Sequence, residues 1–194
     1  MVKLIGKKKI SCAVFISGRG TNLESIFKYS KKTNSKISIK LVISNNSDAL
    51  GINFAKNNKV TCKIIKYKNI KKAEKEILNY LELHNIKFIF LAGFMKILSK
   101  NFIKKFKNKI INIHPSLLPK YKGLNTHIRV IANNEKFSGC TVHFVNETLD
   151  SGKIILQKKV KILKEDNAKS LAKRILEEEN KLYPKAIKKV FLRF

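Results

Sequence analysis

The sequence predicts an α/β fold of the Rossmann-like type, with a doubly wound, mostly parallel sheet flanked by helices and an antiparallel addition near the carboxyl end. Apolar runs of strand length alternate with segments whose apolar residues recur at helical spacing. The run 88–92 is apolar throughout, which is typical of a parallel strand covered on both faces. With 194 residues, 44% of them apolar, the chain suits one domain spanning residues 1–194.

The elements follow from local signals. Gly18 and Gly20 separate the first strand from a helix, and Ser99 is suited to cap a short helix. Pro184 should kink or interrupt the last helix, because proline removes a backbone hydrogen-bond donor. Strands are predicted at residues 9–16, 37–44, 60–65, 88–92, 109–113, 140–145 and 153–162, and helices at 23–29, from Asp48 onward, and at 70–84, 99–106, 126–134 and 167–191.

The net charge of +29 suggests a nucleic-acid-binding protein, since strongly basic domains attract phosphate backbones. The composition argues otherwise. Only four of the 42 basic residues are arginine, the side chain favoured for bidentate phosphate and base contacts, and the lysines are spread along the whole chain. We therefore expect no specific nucleic-acid partner, although non-specific attraction to polyanions and electrostatic steering of anionic substrates are consistent with this charge.

The sequence also indicates where in the cell the protein lies and whether its cysteines are free. No apolar run of 18 residues occurs, and lysines interrupt the apolar stretches of the amino terminus, so we expect no membrane association and a cytoplasmic protein. Cys12, Cys62 and Cys140 are odd in number and widely spaced, which favours buried free thiols.

The segment INIHPSLLPKYKG is the strongest candidate for catalysis. Pro115 favours an extended conformation at His114, so Asn112 and His114 should point to one side of a strand and Ile113 to the other. An amide and an imidazole on one face, joined by the carboxylate of Asp150 from VHFVNETLDSG, could stabilise an oxyanion and transfer a proton. A plain strand end and turn explains Asn112 and His114 equally well.

Two other patterns suggest ligand binding. SGRGTN lies between a strand and a helix, where backbone N–H groups can hold a phosphate, although a plain turn fits as well, because neither a Walker loop nor a dinucleotide fingerprint is present. His114, His127 and His143 fall within 30 residues of each other, but without a Cys-x-x-Cys or His-Glu-x-x-His pattern we expect no metal site.

Several segments together resemble one known family. NIHPSLLPKYKGLNTH, AVFISGRGTNLESI, VISNNSDALGINFA, IFLAGFMKILS, GCTVHFVNETLDSGKIILQ and EEENKLYPKAI occur in an order similar to that of the phosphoribosylglycinamide formyltransferases, the folate-dependent transformylases of purine synthesis. The resemblance extends from about residue 11 to residue 187, which is nearly the whole chain. It implies transfer of a formyl group from 10-formyltetrahydrofolate to the amine of glycinamide ribonucleotide.

The resemblance also implies roles for individual residues. Asn112, His114 and Asp150 would be catalytic, with His143 supporting Asp150, while Gly20, Thr21 and Asn22 would hold the substrate phosphate and Glu179 the sugar hydroxyls. The folate would lie against Met95, Lys96, Ile97, Leu98, Ile103, Asn112, Asn146, Glu147, Thr148 and Leu149. Lys96 stands where arginine is familiar in the family, Arg19 has no assigned role, and Glu179 could instead belong to a solvated acidic helix face. The family implies a cis Leu118–Pro119 bond and a monomer or weak homodimer.

Three rival functions are weighed against this one. A formyltetrahydrofolate hydrolase or a formyltransferase acting on initiator methionyl-tRNA would use the same three catalytic residues. Those families carry an extra amino-terminal or carboxyl-terminal domain, respectively, for which 194 residues leave no room. A basic nucleic-acid-binding module would explain the charge but not the asparagine, histidine and aspartate set.

Overall fold

A computed structural model describes residues 9–192 of the chain. It contains seven strands and six helices in that range, in an order that alternates until the last two strands. The strands are β1 (Ile10–Ile16), β2 (Ile37–Ser44), β3 (Thr61–Ile64), β4 (Phe88–Leu91), β5 (Ile110–His114), β6 (Phe137–Phe144) and β7 (Ile154–Lys161). The helices are α1 (Thr21–Ser30), α2 (Gly51–Asn57), α3 (Ile70–Leu83), α4 (Lys100–Lys105), α5 (Thr126–Ala132) and α6 (Ala168–Phe191).

All seven strands form one sheet in the order β3-β2-β1-β4-β5-β6-β7. The first five are parallel, whereas β6 pairs antiparallel with both β5 and β7, so the predicted mixed sheet is confirmed. The chain leaves β1 toward β2 on one side and later returns to β4 on the other. In doubly wound sheets, this reversal of strand order opens a crevice at the carboxyl ends of the strands, where ligands bind.

Helices cover both faces of the sheet because its central strands are apolar on both sides. Along β1, Cys12 and Val14 belong to a core shared with α1, α2, α5 and α6, while Ala13 and Phe15 belong to a core shared with α3 and α4. This alternation is what a period of two residues produces in a strand covered on both faces.

Four predicted boundaries were wrong by two or three residues. α1 begins at Thr21, two residues before the prediction. α2 begins at Gly51 rather than at Asp48, because the Asn46 side chain accepts a hydrogen bond from the Asp48 backbone N–H and holds that segment in a turn. β6 begins at Phe137, three residues before the prediction, since its pairing with β7 extends to Lys161. α5 ends at Ala132, two residues before the prediction.

The last helix continues through Pro184, so the predicted interruption was wrong. Its first turn is closed by a capping box between Asn167 and Ser170. Beside the proline, the fully buried Tyr183 donates its hydroxyl between the carbonyl oxygens of Leu91 and Ile111, at 3.1 and 2.7 Å. These contacts fasten the helix to the last residue of β4 and to Ile111 of β5, the strand that carries Asn112 and His114.

Other expectations have mixed outcomes. Cys12 and Cys140 are free and buried, but Cys62 is only partly buried, because β3 is an edge strand. The Leu118–Pro119 bond is cis, as the resemblance implied. Within residues 9–192, no helix is both long enough and apolar enough to cross a membrane. The lysine-interrupted amino terminus, residues 1–8, lies outside the described residues.

Candidate active site

The end of β5 brings Asn112 and His114 to the same side of the sheet. Both side chains line a cleft of about 900 Å³. The intervening Ile113 packs into the core, and Asn112 lies opposite His143 of β6 in the antiparallel register. The alternation predicted from the sequence therefore holds for this strand.

Both ring nitrogens of His114 face oxygen acceptors. Its Nε2 lies 2.9 Å from the Tyr121 carbonyl oxygen, which can only accept, and its Nδ1 lies 3.3 Å from Oδ2 of Asp150. Because the carbonyl oxygen can only accept, Nε2 donates to it, and Nδ1 is the nitrogen that faces the carboxylate. The shorter contact fixes the ring, whereas the longer one leaves Nδ1 able to contact a second group in the cleft.

His143 is oriented by the backbone and in turn orients Asn112. Its Nδ1 donates to the Phe144 carbonyl at 2.8 Å, so its neutral form has Nε2 free to accept from Asn112 Nδ2 at 3.3 Å. Burial lowers the pKa of His143, which favours this neutral form. Because its Nε2 is 3.7 Å from Asp150 Oδ1, His143 contacts Asn112 more closely than it contacts the carboxylate that it was predicted to support.

The loop between β6 and β7 carries Asp150 back to the cleft. Asp150 adopts a positive φ of 47°, and its Oδ2 accepts from the Gly123 backbone N–H at 2.9 Å. Gly152 is required nearby, because a Cβ there would come within 1.7 Å of the Phe144 carbonyl oxygen. The loop can thus close tightly enough to place the carboxylate beside His114.

The cleft is lined by all ten residues predicted to contact folate. Met95 and Ile97 follow β4, and their side chains are 66% and 71% exposed, while Leu149 from the Asp150 loop is 53% exposed. Side chains this apolar and this exposed in a concave site are suited to cover a flat, apolar ligand. The remaining predicted lining residues are Lys96, Leu98, Ile103, Asn112, Asn146, Glu147 and Thr148.

The SGRGTN turn joins β1 to α1 in the close packing that its glycines allow. Gly20 has a φ of 84°, and a Cβ there would approach the Gly51 Cα to 2.6 Å. Ser17, at the start of the turn, accepts a hydrogen bond from the Met95 backbone N–H at 2.8 Å. This bond ties the predicted phosphate turn directly to the cleft.

Asn22 and Glu179 form a buried pair between α1 and α6. Asn22 Nδ2 donates to Glu179 Oε2 at 2.8 Å, and the two residues are only 6% and 7% exposed. Burial raises the pKa of Glu179 to about 7, and the hydrogen bond from Asn22 opposes that rise. Glu179 is therefore not part of a solvated acidic face, although neither residue is among those that line the large cleft.

Comparison with known proteins identifies the family. Residues 10–187 match the family model described as formyl transferase. A phosphoribosylglycinamide formyltransferase of Haemophilus influenzae is 44% identical over 184 residues, which cover 93% of this chain and 86% of the relative. The chain belongs to the phosphoribosylglycinamide formyltransferase family.

Longer relatives and solved structures agree with this membership. The trifunctional purine biosynthetic protein adenosine-3 of Homo sapiens is 40% identical over 187 residues, but the chain spans only 18% of that protein's length. Crystal structures of phosphoribosylglycinamide formyltransferases from Anaplasma phagocytophilum and Brucella melitensis match with TM-scores of 0.88 and 0.89. They are 43% and 36% identical, and the matches cover 93% and 94% of this chain and 86% and 96% of theirs.

In this family member, sequence reasoning missed one wall of the cleft. Leu124 and Ile128 line it with exposures of 73% and 59%, and His127 lies between them. Within residues 9–192, His127 Nδ1 is buried without a hydrogen-bond partner, and burial followed by the charge of His114 lowers the pKa of its ring. The segment GLNTH is part of the run that resembles the family, but its sequence carries no signal that it faces the cleft.

The predicted absence of a metal site remains a prediction. Within residues 9–192, no group of three or more histidine, cysteine, aspartate or glutamate side chains is placed to hold a metal ion. His114 and His143 instead direct their ring nitrogens toward Asp150, Asn112 and backbone carbonyl oxygens.

Proposed function

We propose that this protein transfers the formyl group of 10-formyltetrahydrofolate to the primary amine of glycinamide ribonucleotide, giving N-formylglycinamide ribonucleotide and tetrahydrofolate in purine synthesis. Family membership supports the reaction type. The observation that carries the proposal is His114, held beside Asn112 with both ring nitrogens facing oxygen acceptors at the edge of the large cleft. An oriented imidazolium next to an amide suits acyl transfer through an oxyanion.

In the proposed mechanism, the amine attacks the formyl carbon and negative charge develops on the formyl oxygen. Asn112 gives one Nδ2 hydrogen to His143, so its second hydrogen is available to that oxygen. His114 supplies positive charge and the Nδ1 proton of its long contact with Asp150. Each such donor is worth about 3–4 kcal/mol in other acyl-transfer enzymes.

Asp150 has two proposed tasks. Its carboxylate stabilises the imidazolium of His114, and it accepts the proton released by the attacking amine, directly or through a water molecule. The bond between the formyl carbon and N10 of the folate then breaks, and this proton passes to N10 as tetrahydrofolate leaves. The Gly123 N–H fixes one carboxylate oxygen, so the aspartate is oriented before substrate arrives. No covalent intermediate on the enzyme is required, because the amine itself is the nucleophile.

The two substrates would approach from neighbouring strand ends. Gly20, Thr21 and Asn22 would hold the nucleotide phosphate at the start of α1, where backbone N–H groups favour an anion. Glu179 would accept hydrogen bonds from the sugar hydroxyls, and the large cleft would hold the folate. The Ser17 to Met95 hydrogen bond supports this arrangement, because it joins the two binding regions.

The decisive experiment is a direct assay of formyl transfer with the purified protein. Consumption of 10-formyltetrahydrofolate should depend on glycinamide ribonucleotide and yield N-formylglycinamide ribonucleotide in equal amount. Release of formate without the nucleotide would identify a hydrolase instead. Transfer to methionyl-tRNA but not to the nucleotide would equally contradict the proposal.

We further propose that residues 1–194 act as one formyltransferase domain in the cytoplasm, as a monomer or weak homodimer, without a specific nucleic-acid or membrane partner. Sedimentation of the purified chain over a range of concentrations tests the oligomeric state. Binding to a DNA duplex should vanish at high salt and show no sequence preference, since dispersed lysines attract phosphate only through charge. Tight sequence-dependent binding would contradict this part of the proposal.

A further inference from the structure

One short loop contacts both of the candidate catalytic side chains through its backbone. The carbonyl oxygen of Tyr121 accepts from His114 Nε2 at 2.9 Å, and the N–H of Gly123 donates to Asp150 Oδ2 at 2.9 Å. Backbone groups are common to all residues, so these two contacts do not depend on the side chains at positions 121 and 123. Their positions depend on what holds the loop.

The loop needs to be held, because its backbone is in an unfavourable conformation. Tyr121 has a φ of 57° and Asn125 a φ of 56°, and Gly123 lies between them with a φ of 77°. Left-handed conformations are costly for residues with a side chain and persist where surrounding contacts over-determine them. Asparagine tolerates this region, so it is Tyr121 that points to a specific set of anchoring contacts.

Those contacts come from α5 and from Glu135, just beyond its end. The Tyr121 hydroxyl donates to Glu135 Oε1 at 3.0 Å. Arg129 donates to the Lys122 carbonyl at 2.7 Å, and its guanidinium lies 5.4 Å from the centre of the Tyr121 ring. The exposed Lys120 also donates to Glu135 at 2.8 Å.

The ionisation states suit a lasting anchor. Hydrogen bonds from Lys120 and Tyr121 lower the pKa of Glu135, so it remains a carboxylate. Desolvation, followed by the bond to Glu135, raises the pKa of Tyr121, so it remains a phenol that can donate. A phenol donating to a carboxylate is among the stronger neutral-to-charged hydrogen bonds.

We propose that Glu135 is a positioning residue that acts through Tyr121 to set the placement of His114 and Asp150. It touches no candidate substrate site, and its effect passes through the Tyr121 side chain to the backbone atoms that hold both catalytic groups. This inference rests on the proposed function for its effect on turnover, but its structural part concerns only the orientation of the two side chains.

The test compares variants that break the anchor with variants that spare it. Tyr121→Phe and Glu135→Ala should each lower kcat by about tenfold, because small misplacements of catalytic groups are costly, while KM for the nucleotide stays within about twofold. The double variant should be no worse than either single one, because both remove the same bond. Glu135→Gln keeps an acceptor oxygen and should retain most of the activity.

Lys120→Gln is the matched control, because it removes the exposed partner of the same carboxylate and leaves the Tyr121 bond intact. Its kcat should equal that of the unaltered protein. A loss of kcat in Lys120→Gln as large as in Tyr121→Phe would overturn the proposal, since charge near Glu135 rather than the Tyr121 bond would then matter.

A measurement without substrate separates this inference from the proposed function. In nuclear magnetic resonance spectra of ¹⁵N-labelled protein, Tyr121→Phe should change the chemical shifts of the His114 ring nitrogens and raise the rate at which the Nε2 proton exchanges with solvent. Unchanged His114 signals would overturn the positioning role, whatever the activity. Shifted signals in a protein without formyl transfer would support the positioning role and reject the proposed function alone.

Discussion

The proposed nucleotide side and the proposed folate side of the candidate site differ in the contacts that their side chains already make. On the nucleotide side, Asn22 and Glu179 are buried and already hydrogen-bonded to each other at 2.8 Å. On the folate side, Met95 and Ile97 are more than 60% exposed and contribute apolar surface to an open cleft. One region is organised by polar contacts inside the fold, whereas the other leaves apolar side chains at its surface.

This difference indicates where each region affects stability. A buried carboxylate costs folding free energy when it is ionised, and a ligand that donates hydrogen bonds can offset that cost. Exposed apolar side chains hardly affect folding, and their hydrophobic surface becomes buried only when a ligand covers it. Substitutions on the nucleotide side should therefore change stability and binding together, whereas those on the folate side should change binding alone.

The largest loss of activity is expected from substitutions of His114 and Asp150, which lie where the two regions meet. His114→Ala or Asp150→Asn should lower kcat by about 10²–10³, because each removes stabilisation of charge in the transition state. The dissociation constant of the nucleotide should change little, since neither the SGRGTN turn nor Glu179 is altered. Rapid-quench turnover and calorimetric binding measure the two quantities.

The loss of kcat in these two variants should not come from unfolding. Thermal unfolding should show a folded protein in both cases, with a melting temperature close to that of the parent. Near-normal turnover in both variants would remove His114 and Asp150 from the mechanism.

Glu179→Gln tests the buried pair and should separate stability from binding. In the unaltered protein, the pKa of Glu179 is raised from its ordinary value of 4.5 to about 7. Between pH 4.5 and pH 7 the folded protein therefore binds one more proton than the unfolded chain, and it loses stability as the pH rises through that range. The amide stays neutral, so the variant should be more stable than the parent at pH 8, by at most about 3 kcal/mol, and much less so at pH 5. Denaturant unfolding at both pH values measures this difference.

The same variant should bind the nucleotide less well. Loss of a charged acceptor should raise KM for the nucleotide by about tenfold, without changing KM for the folate. Greater stability at pH 8 with unchanged nucleotide KM would mean that Glu179 does not contact the sugar.

The contrast between the two regions also explains what could be predicted from the sequence. Strand periodicity and Pro115 predicted the facing of Asn112 and His114, because those signals are local. The alternation of elements predicted the sheet. The burial of Glu179 was not local, since it depends on α6 packing against α1, and an acidic run alone fits a solvated helix face equally well.

The loop contacts were beyond sequence reasoning for a different reason. Tyr121 and Gly123 act through backbone atoms, and Asn46 delays the start of α2 by accepting a hydrogen bond from the Asp48 backbone N–H. Neither contact leaves a periodic signal. The wall that contains His127 was missed because a histidine at the start of a helix has an ordinary explanation until the fold shows what it faces.

Met95→Ala tests the folate side, and its effect on KM should be smaller than that of Glu179→Gln. Truncating this exposed side chain removes apolar surface that the folate would cover, which should raise KM for the folate by about fivefold. The melting temperature should not change, because the side chain is 66% exposed in the folded protein. Leu83→Ala is the matched control, since Leu83 is 74% exposed on α3 outside the cleft. An equal change in KM for both variants would contradict a specific contact at Met95.

Lys96→Ala should have the smallest effect on KM for the folate. It tests whether the charge of Lys96 contributes more to folate binding than that of any other surface lysine. Lys96 is exposed, so its attraction for an anionic ligand is screened by water and salt, and KM for the folate should rise only about twofold to threefold at low ionic strength. Lys104→Ala removes the same charge from α4 outside the cleft lining and should have less effect. Near 1 M salt, with a screening length of about 3 Å, the two variants should become equal. If they are already equal at low salt, the contribution of Lys96 is that of any surface lysine, and recognition on this side rests on apolar contact alone.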